Sequence, residues 1–294
     1  MSFVRLGKTC VMVSAALVAL CVTMLLWPGL NWGVDFTGGT ILERRVGRTI
    51  SAGEVRSILD AAVPEVDLSR ATIQLVEGDK EFIIRTQELS NNDIMRIDKA
   101  FQQEFGGLVE LRTEVVGPVI GRELVRSAVL AVLVAAVGIL LYVTLRFEYR
   151  FAAVAVAALL HDVALVLGSF VVLGREINSP FVAAILTVVG YSINNTIVIF
   201  DRIRENLRMS PREPVPELVE RSIRQSLTRS INTSITTFLA AGMLVVFGGS
   251  AIRDFALALV IGLVVGTYSS VLVSGPMWLM WSGKGAGPKT RTTA

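Results

Sequence analysis

The sequence predicts an α-helical membrane protein with six transmembrane helices and an extracytoplasmic, ferredoxin-like α+β domain of order βαββαβ. Hydrophobic residues fill 52% of the 294 positions and charged residues only 18%, and the mean hydropathy is +0.61. Soluble domains of this size rarely have such a composition. Six apolar runs are long enough to cross a bilayer, and the polar stretch after the first run has the periodicity of strands and amphipathic helices.

The six helices follow from runs of roughly 20 apolar residues, the length that spans a bilayer. The runs cover about residues 9–28, 125–145, 151–173, 178–200, 231–250 and 255–281. The first is predicted to be an uncleaved anchor, because Trp27 and Pro28 leave no small-residue cleavage site. The resulting division is an N-terminus with the first helix (1–30), an outer domain (31–122), a five-helix bundle (123–284) and a cytoplasmic tail (285–294).

The short loops predict the orientation. Lys and Arg gather at one end of the bundle: Arg5 and Lys8, Arg146 and Arg150, seven arginines from 202 to 229, and Lys284, Lys289 and Arg291. The opposite short loops carry Arg175 and Arg253. By the positive-inside rule both termini are expected in the cytoplasm and the outer domain on the other side.

The outer domain contains six elements in order. Strands are predicted at "TILERRV", "ATIQLVE", "EFIIRTQ" and "LVELRTEVV", and helices at "SAGEVRSILDAAV" and "NNDIMRIDKAFQQEF". The first helix opens with Ser51 and has Glu54 three residues later, the pattern of a capping box. The order predicts a four-stranded antiparallel sheet with two helices on one face.

Several function classes are disfavoured by composition. The net charge of +3 is explained by membrane topology and does not indicate nucleic-acid binding. His161 is the single histidine, so a multi-histidine metal site is excluded. The sequence lacks CxxC, HExxH, GxSxG and Walker-type motifs. We therefore expect no enzyme activity, no metal and no cofactor.

Six motifs in order resemble the SecD/SecF family, and in particular its smaller member SecF. They are "GVDFTGGT" (33–40), "VGPVIG" (116–121), "HDV" (161–163), "GYSINNTIVIFDRIREN" (190–206), "RSINTSITT" (229–237) and "DFALALVIGLVVGTYSS" (254–270). The resemblance implies a resistance-nodulation-division type fold in the bacterial cytoplasmic membrane. It also implies SecD, the SecYEG channel, a translocating preprotein and often YajC as partners, besides membrane lipid. The implied function is to assist late stages of protein export with the proton or sodium motive force.

The fourth span departs from the family at Asn195. SecF proteins usually have Asn-Asp where this chain has Asn194 and Asn195, and that Asp is regarded as the proton carrier. An amide cannot titrate. Three interpretations stay open: a natural variant that uses another carboxylate or ion, a laboratory substitution that fixes one protonation state, and a structural position that bonds neighbouring helices.

Further polar residues in the spans are candidates for an ion relay. Arg229 matches the family arginine thought to interact with the ion-carrying acid, although it could instead reach lipid headgroups from the cytoplasmic edge. Helical spacing predicts a polar stripe of Arg229, Thr233 and Thr236 or Thr237, facing a second stripe of Thr187, Tyr191 and Asn194 or Asn195.

His161 and Asp162 lie at the middle of the third span. A carboxylate at the bilayer centre costs at least about 2.5 kcal/mol, so it is retained only with a partner or a role. With Asn195 neutral, Asp162 is the best remaining titratable candidate; a structural hydrogen bond is the alternative.

Two glycine motifs have predicted structural roles. Gly38 and Gly39 are expected to permit a tight turn after the membrane exit, with Asp35 bonding nearby amides. Small residues recur every four positions in the sixth span, at Ala258, Gly262, Gly266 and Ser270. This stripe suits close helix packing, either within the chain or against SecD.

Two other functions are compatible with the same pattern. The chain could be a stand-alone small-molecule or lipid exporter of the resistance-nodulation-division type, which would need to dimerise because six spans form half a transporter. Alternatively, it could be a scaffold for SecD that conducts no ions, an interpretation that Asn195 favours.

Overall fold

The computed structural model describes residues 3–76, 78 and 80–282, and the chain forms two compact units. The bundle unit comprises Met1–Asn31 and Leu130–Ala294, and the outer unit comprises Trp32–Val129. The outer unit ends at Val129 and not at the predicted residue 122, because it includes the first turns of the helix that begins at Pro118. The predicted tail 285–294 lies outside the described residues, as do Lys284, Lys289 and Arg291.

The elements follow one another in chain order. They are α1 (Phe3–Leu26), β1 (Asn31–Trp32), α2 (Val34–Thr37), β2 (Gly39–Val46), α3 (Ala52–Ala62), β3 (Thr72–Val76), β4 (Glu81–Thr86), α4 (Asn91–Phe105), β5 (Leu108–Val116), α5 (Pro118–Arg146), α6 (Tyr149–Val172), β6 (Glu176–Ile177), α7 (Ser179–Met209), α8 (Val215–Phe247), α9 (Ser250–Tyr268), a π-helical segment (Ser269–Ser274) and α10 (Gly275–Ser282).

The outer unit is the predicted ferredoxin-like domain. Its sheet has the order β3-β4-β2-β5, and every neighbouring pair is antiparallel. Capping boxes begin both helices, Ser51 with Glu54 on α3 and Ser90 with Asp93 on α4. Helices and sheet enclose an apolar core that includes Leu42, Phe82, Ile84, Leu59 and Phe101. The predicted order βαββαβ is confirmed.

The open face of the sheet contains a buried pair of carboxyl groups. Leu42 and Phe82 pack under the helices, so by strand alternation Glu43 and Glu81 point to the other face. Glu43 is 1% and Glu81 4% exposed. Burial, together with a hydrogen bond to Glu43, raises the pKa of Glu81 above its ordinary value, although Arg45 opposes the shift. The folded domain therefore favours the protonated form of Glu81.

We expect Glu81→Gln to stabilise the outer unit near pH 8 and to have little effect near pH 4. Because the pKa of Glu81 is raised on folding, its stabilising contribution is complete below the ordinary value of 4.5 and is lost as the pH rises through the folded-state pKa. Glutamine cannot ionise, so this loss disappears. Arg45 is 46% exposed, so solvent screens its pairing with the ionised Glu81 and the pairing offsets only part of this loss.

Amide hydrogen exchange of β2 and β4 in the full chain measures the effect of Glu81→Gln. Slower exchange in the variant than in the wild type is expected at pH 8, with equal rates at pH 4. Glu104→Gln on the exposed face of α4 is the control. Faster exchange in Glu81→Gln at pH 8 would show that the ionised carboxylate stabilises the fold.

The structure contains the six predicted spans, and they belong to the bundle unit apart from the start of α5, which belongs to the outer unit. All six are long and apolar enough to cross a membrane. The most apolar windows of α6, α7 and the last span are 50% buried within the chain, whereas those of α1, α5 and α8 are only 6–11% buried. The first group therefore forms the centre of the bundle. The last span is not one regular helix, because the π-helical segment Ser269–Ser274 separates α9 from α10.

Candidate functional site

A fully buried carboxylate lies at the centre of the bundle. Asp162 is near the middle of α6 and is 0% exposed. The apolar turns on either side of it keep α6 in the membrane, and its neighbours α7 and α9 are the other most buried helices. An ionisable group at this depth is a functional candidate by default.

Three side chains hydrogen-bond to Asp162. His161 Nδ1 lies 2.8 Å from Oδ1, and Ser269 Oγ donates to Oδ2 at 2.8 Å. Ser192 Oγ of α7 also donates to Oδ2. The carboxylate thus joins α6, α7 and the π-helical segment, and these hydrogen bonds offset part of the cost of its burial.

Ser269 has a second acceptor within reach. Its Oγ lies 3.2 Å from the Gly266 carbonyl oxygen as well as 2.8 Å from Asp162. The hydroxyl has one hydrogen, so it donates fully to only one of the two. Because π-helical turns occur frequently at functional sites, the irregular backbone beside Asp162 is itself a feature of the site.

His161 extends the site towards α1. Its ring centroid is 6.4 Å from that of Tyr268, and Tyr268 Oη lies 3.0 Å from Ser14 Oγ. Among the described residues, none hydrogen-bonds to the buried His161 Nε2. His161 therefore has one nitrogen engaged by Asp162 and one that remains available.

The two asparagines of α7 have different environments. Asn195 is 3% exposed, and no residue of the described part of the chain bonds its Nδ2. Asn194 is exposed. Asn195 follows Ser192 by one helical turn, so it lies on the same buried face of α7 as the partner of Asp162.

Arg229 is exposed on α8 and lines a cavity of about 250 Å³ with Val198, Asp201 and Glu205 of α7. Within the described ranges its guanidinium hydrogen-bonds to neither asparagine. Val198 is one turn from Asn195 along α7. Arg229 therefore shares a cavity with the turn of α7 that follows the turn carrying Asn195.

The polar contacts between α7, α8 and α9 differ from the two predicted stripes. Tyr191 Oη donates to Ser234 Oγ at 2.9 Å, and Ser234 lies 2.7 Å from Thr267 Oγ1. The hydroxyls of Thr187, Thr233, Thr236 and Thr237 instead bond to carbonyl groups of their own helices and are exposed. Of the predicted residues, Tyr191 makes the interhelical contact, with Ser234 as its unpredicted partner.

The small residues of the last span bring α9 against α7. A Cβ at Gly262 would overlap the Val188 side chain, and one at Gly266 would lie 3.1 Å from Ser192 Cβ. Both glycines therefore pack within this chain. The close approach at Gly266 also fixes the helix that carries Ser192, the donor to Asp162.

The glycine motif of the outer unit forms a tight turn. Gly38 ends α2 with φ of 76° and donates its N–H to the Val34 carbonyl at 2.8 Å. Gly39 begins β2 with φ of 134°, and a Cβ there would overlap the Thr86 carbonyl oxygen on the neighbouring strand. Asp35 lies in the first turn of α2. Positive φ and the close backbone approach account for both glycines.

Gly39→Ala is expected to destabilise the outer unit by about 1–3 kcal/mol, because it combines a left-handed φ with overlap against the backbone of β4. The matched control is Gly53→Ala in α3, where only the Ser51 Oγ atom approaches the new methyl group, at 4.0 Å. Because alanine favours helices, the control is expected to be neutral or slightly stabilising. Hydrogen exchange of β2 and β4 distinguishes them, and equal protection in both variants would contradict the assignment.

Comparisons with known proteins match the chain to SecD/SecF proteins over most of its length. The family described as protein export membrane protein SecD/SecF, C-terminal, matches residues 97–284, and the SecD/SecF GG motif matches residues 28–43. SecF from Desulfurispirillum indicum is 39% identical, over 95% of this chain and 91% of that protein. SecDF from Thermus thermophilus is 40% identical over 91% of this chain, but the match covers only 37% of that longer protein.

Solved structures extend the likeness to the fold. The crystal structure of Thermus thermophilus SecDF, described as a translocon-associated membrane protein, matches with a TM-score of 0.88 and 39% identity, over 96% of this chain and 39% of that chain. SecDF in a super-membrane-facing form matches with a TM-score of 0.71 and 38% identity, over 97% of this chain and 39% of that chain. By sequence and by structure, the chain belongs to the SecD/SecF family of protein export membrane proteins.

Proposed function

We propose that the chain is a SecF-like subunit of the preprotein translocase and that it pairs with SecD through the exposed polar faces of α7 and α8. The single observation that supports this best is a pair of exposed amides, Asn194 on α7 and Asn232 on α8. No residue within the described ranges hydrogen-bonds to either side chain. An unpaired amide exposed to hydrocarbon costs several kcal/mol, so helices of a partner are expected to cover this surface.

The longer relatives indicate which protein this partner is. The SecDF proteins of Thermus thermophilus and Brucella abortus contain this chain's counterpart within a much longer polypeptide, of which the match covers 37% and 36%. A separate chain that is homologous to the remainder of SecDF is the natural occupant of the polar surface. SecD is therefore the proposed partner, with SecYEG, YajC and the preprotein as further components of the assembly.

The double variant Asn194→Leu/Asn232→Leu is expected to weaken co-purification with SecD roughly tenfold or more, because interhelical hydrogen bonds contribute about 1 kcal/mol each. Asn194→Gln/Asn232→Gln keeps both amides and is expected to retain most of the SecD. The measurement is the amount of SecD that co-purifies at a fixed detergent concentration. Equal recovery with the leucine and glutamine variants would contradict the proposed interface.

We further propose that Asp162 is the group that gains and loses the coupling ion, most simply a proton. Its central position, its full burial and its bonds to two other segments support the assignment. Asn195, one turn from Ser192, lines the same region as a neutral polar group. His161 offers the unbonded nitrogen through which a proton could reach or leave the carboxylate.

The coupling follows from the two acceptors of Ser269. An ionised Asp162 attracts the Ser269 hydroxyl, whereas a protonated carboxyl group weakens as an acceptor and leaves that hydroxyl free to donate to Gly266. The π-helical backbone around Ser269 is the element whose conformation then changes. Each charge that crosses 100 mV supplies about 2.3 kcal/mol, so one or two ions bias a two-state equilibrium but do not unfold a domain.

Export into membrane vesicles tests the proposed function as a whole. Vesicles that contain this chain and its SecD are expected to complete the late stages of preprotein export faster when a proton or sodium gradient is imposed. Recovery of a stable homodimer that binds lipophilic molecules, without SecD, would instead support the exporter. Unchanged gradient dependence after Arg229→Gln and Asp162→Asn together would favour a scaffold that conducts no ions.

A further inference from the structure

A large cavity lies at the basic end of the bundle unit. Its volume is about 1230 Å³, larger than the roughly 300–1,000 Å³ of most small-molecule sites. The starts of α1, α6 and α8 and one side of α10 contribute its walls. The cavity is remote in the fold from the Asp162 site, and its role does not depend on the ion coupling proposed above.

The lining of this cavity is cationic and apolar. Arg5, Lys8 and Arg150 supply three positive charges, and the remaining lining residues are apolar: Val4, Pro216, Pro276, Met277, Leu279, Met280 and Trp281. No acidic residue of the described chain lines it. Glu220, which does not line the cavity, accepts from the Val4 N–H at 3.0 Å and from Arg224 Nε at 3.0 Å.

Two of these cations, Lys8 and Arg150, are available to a ligand. Within the described ranges, no residue hydrogen-bonds or ion-pairs with the exposed Lys8 ammonium. Arg150 donates its Nε to Tyr149 Oη at 2.9 Å, and this contact leaves the two terminal nitrogens of the guanidinium for an anion. Such a fork matches the geometry of a phosphate.

The walls of the cavity are held in place by close packing. A Cβ at Gly7 would overlap the Pro276 ring, so α1 lies directly against α10. On the other side, Phe151 of α6 stacks on Trp278 of α10, with ring centroids 4.6 Å apart and an interplanar angle of 12°. α10 therefore packs against both α1, which carries Lys8, and α6, which carries Arg150.

We propose that this basic-end cavity binds one anionic phospholipid, with the phosphate between Lys8 and Arg150 and the acyl chains along Met280 and Trp281. Charge complementarity selects an anion, and the apolar remainder of the lining selects one that carries hydrocarbon chains. Basic pockets between transmembrane helices at the cytoplasmic face recognise such headgroups. The positive-inside rule predicts that both termini are cytoplasmic, which assigns the lipid to the inner leaflet.

Native mass spectrometry of the full chain in detergent tests the site. The probes are phosphatidylglycerol, phosphatidylcholine with the same acyl chains, and inorganic phosphate. One phosphatidylglycerol is expected to bind more tightly than phosphatidylcholine, and Lys8→Gln/Arg150→Gln is expected to weaken it roughly tenfold to thirtyfold. Lys8→Arg/Arg150→Lys keeps both charges and should retain binding.

The matched control removes two other positive charges from the same end of the bundle. Arg208→Gln/Arg212→Gln changes two exposed arginines outside the cavity and should alter phosphatidylglycerol affinity by less than about twofold. An equal loss of affinity in both double variants would show that only the total charge of this end of the bundle matters. That result would overturn the proposed site. Equal affinity for phosphatidylcholine, or displacement of the lipid by an equal concentration of inorganic phosphate, would also overturn it.

Discussion

Asp162→Asn is expected to abolish the gradient-driven part of preprotein export while leaving the protein folded. The amide is neutral at every pH, so it cannot gain or lose a proton. Its oxygen still accepts from Ser192 and Ser269, and its NH₂ group can donate to His161 Nδ1 once that ring adopts the other tautomer. The variant therefore keeps most of its stability. Its loss of gradient-driven export comes from the missing titratable group.

The measurement for Asp162→Asn is export of a preprotein into vesicles, with and without an imposed gradient, at equal levels of this chain and SecD. The variant is expected to retain the gradient-independent rate and to lose the increment. The control is Asp201→Asn, which removes a partly exposed carboxylate paired with Arg146 at 3.3 Å and should preserve the increment. A full increment in Asp162→Asn would assign the coupling to another group.

Gly262→Ala is expected to destabilise the bundle unit by about 1–3 kcal/mol, because the added methyl group overlaps the buried Val188 side chain. The overlap pushes α9 away from α7, and the displaced helix carries Gly266, which contacts Ser192. Export is therefore expected to fall together with stability. Unfolding of the full chain in detergent, followed by loss of helical signal, measures the effect.

Two further variants separate overlap from a general effect of alanine. Val188→Ala/Gly262→Ala makes room for the new methyl group, so its loss should be smaller than the sum of the single losses, with a coupling of about 0.5–3 kcal/mol. Gly242→Ala in α8 adds a methyl group to open space and should be neutral or stabilising. Additive losses in the double variant would contradict direct packing of Gly262 on Val188.

The outer unit was largely predictable because each of its elements has a local signal. Strand alternation and the Ser51 capping box predict β2 and α3, and the structure places both within one residue of the predicted starts. The sheet order follows from the succession βαββαβ once strands pair as in the ferredoxin-like fold. The buried Glu43 and Glu81 were not predictable, because two carboxyl groups on the open face of a sheet are normally solvated.

In the bundle, chain length and hydropathy predict the six spans but not the π-helical segment. One extra residue in a helical turn leaves no compositional signal in an apolar run. The depth of Asp162 could be counted from the span boundaries. Its donors Ser192 and Ser269 could not be identified, because serine is common in transmembrane helices and only helix contacts reveal which serines face the acid.

The contacts of Arg229 could not be predicted from helical periodicity. Helical spacing correctly groups Arg229 with Thr233, but it does not specify which neighbour their face contacts. The structure leaves that face exposed, and hydrogen bonds between α7 and α8 come instead from Tyr191 with Ser234 and from Asn206 with Ser222 and Gln225. Under the proposed function SecD covers this surface, and the periodicity of one subunit does not predict contacts with another chain.

Infrared difference spectroscopy tests most directly whether Asp162 changes protonation. The complex of this chain with SecD would be reconstituted in lipid and compared at low and high pH. Acidification is expected to produce carbonyl bands of several protonated carboxyl groups, including Glu81, and one component of these bands is expected to be absent in Asp162→Asn and present in Asp201→Asn. The same component in Asp162→Asn at undiminished intensity would show that another carboxyl group takes the proton, and Asp162 would then have only a structural role.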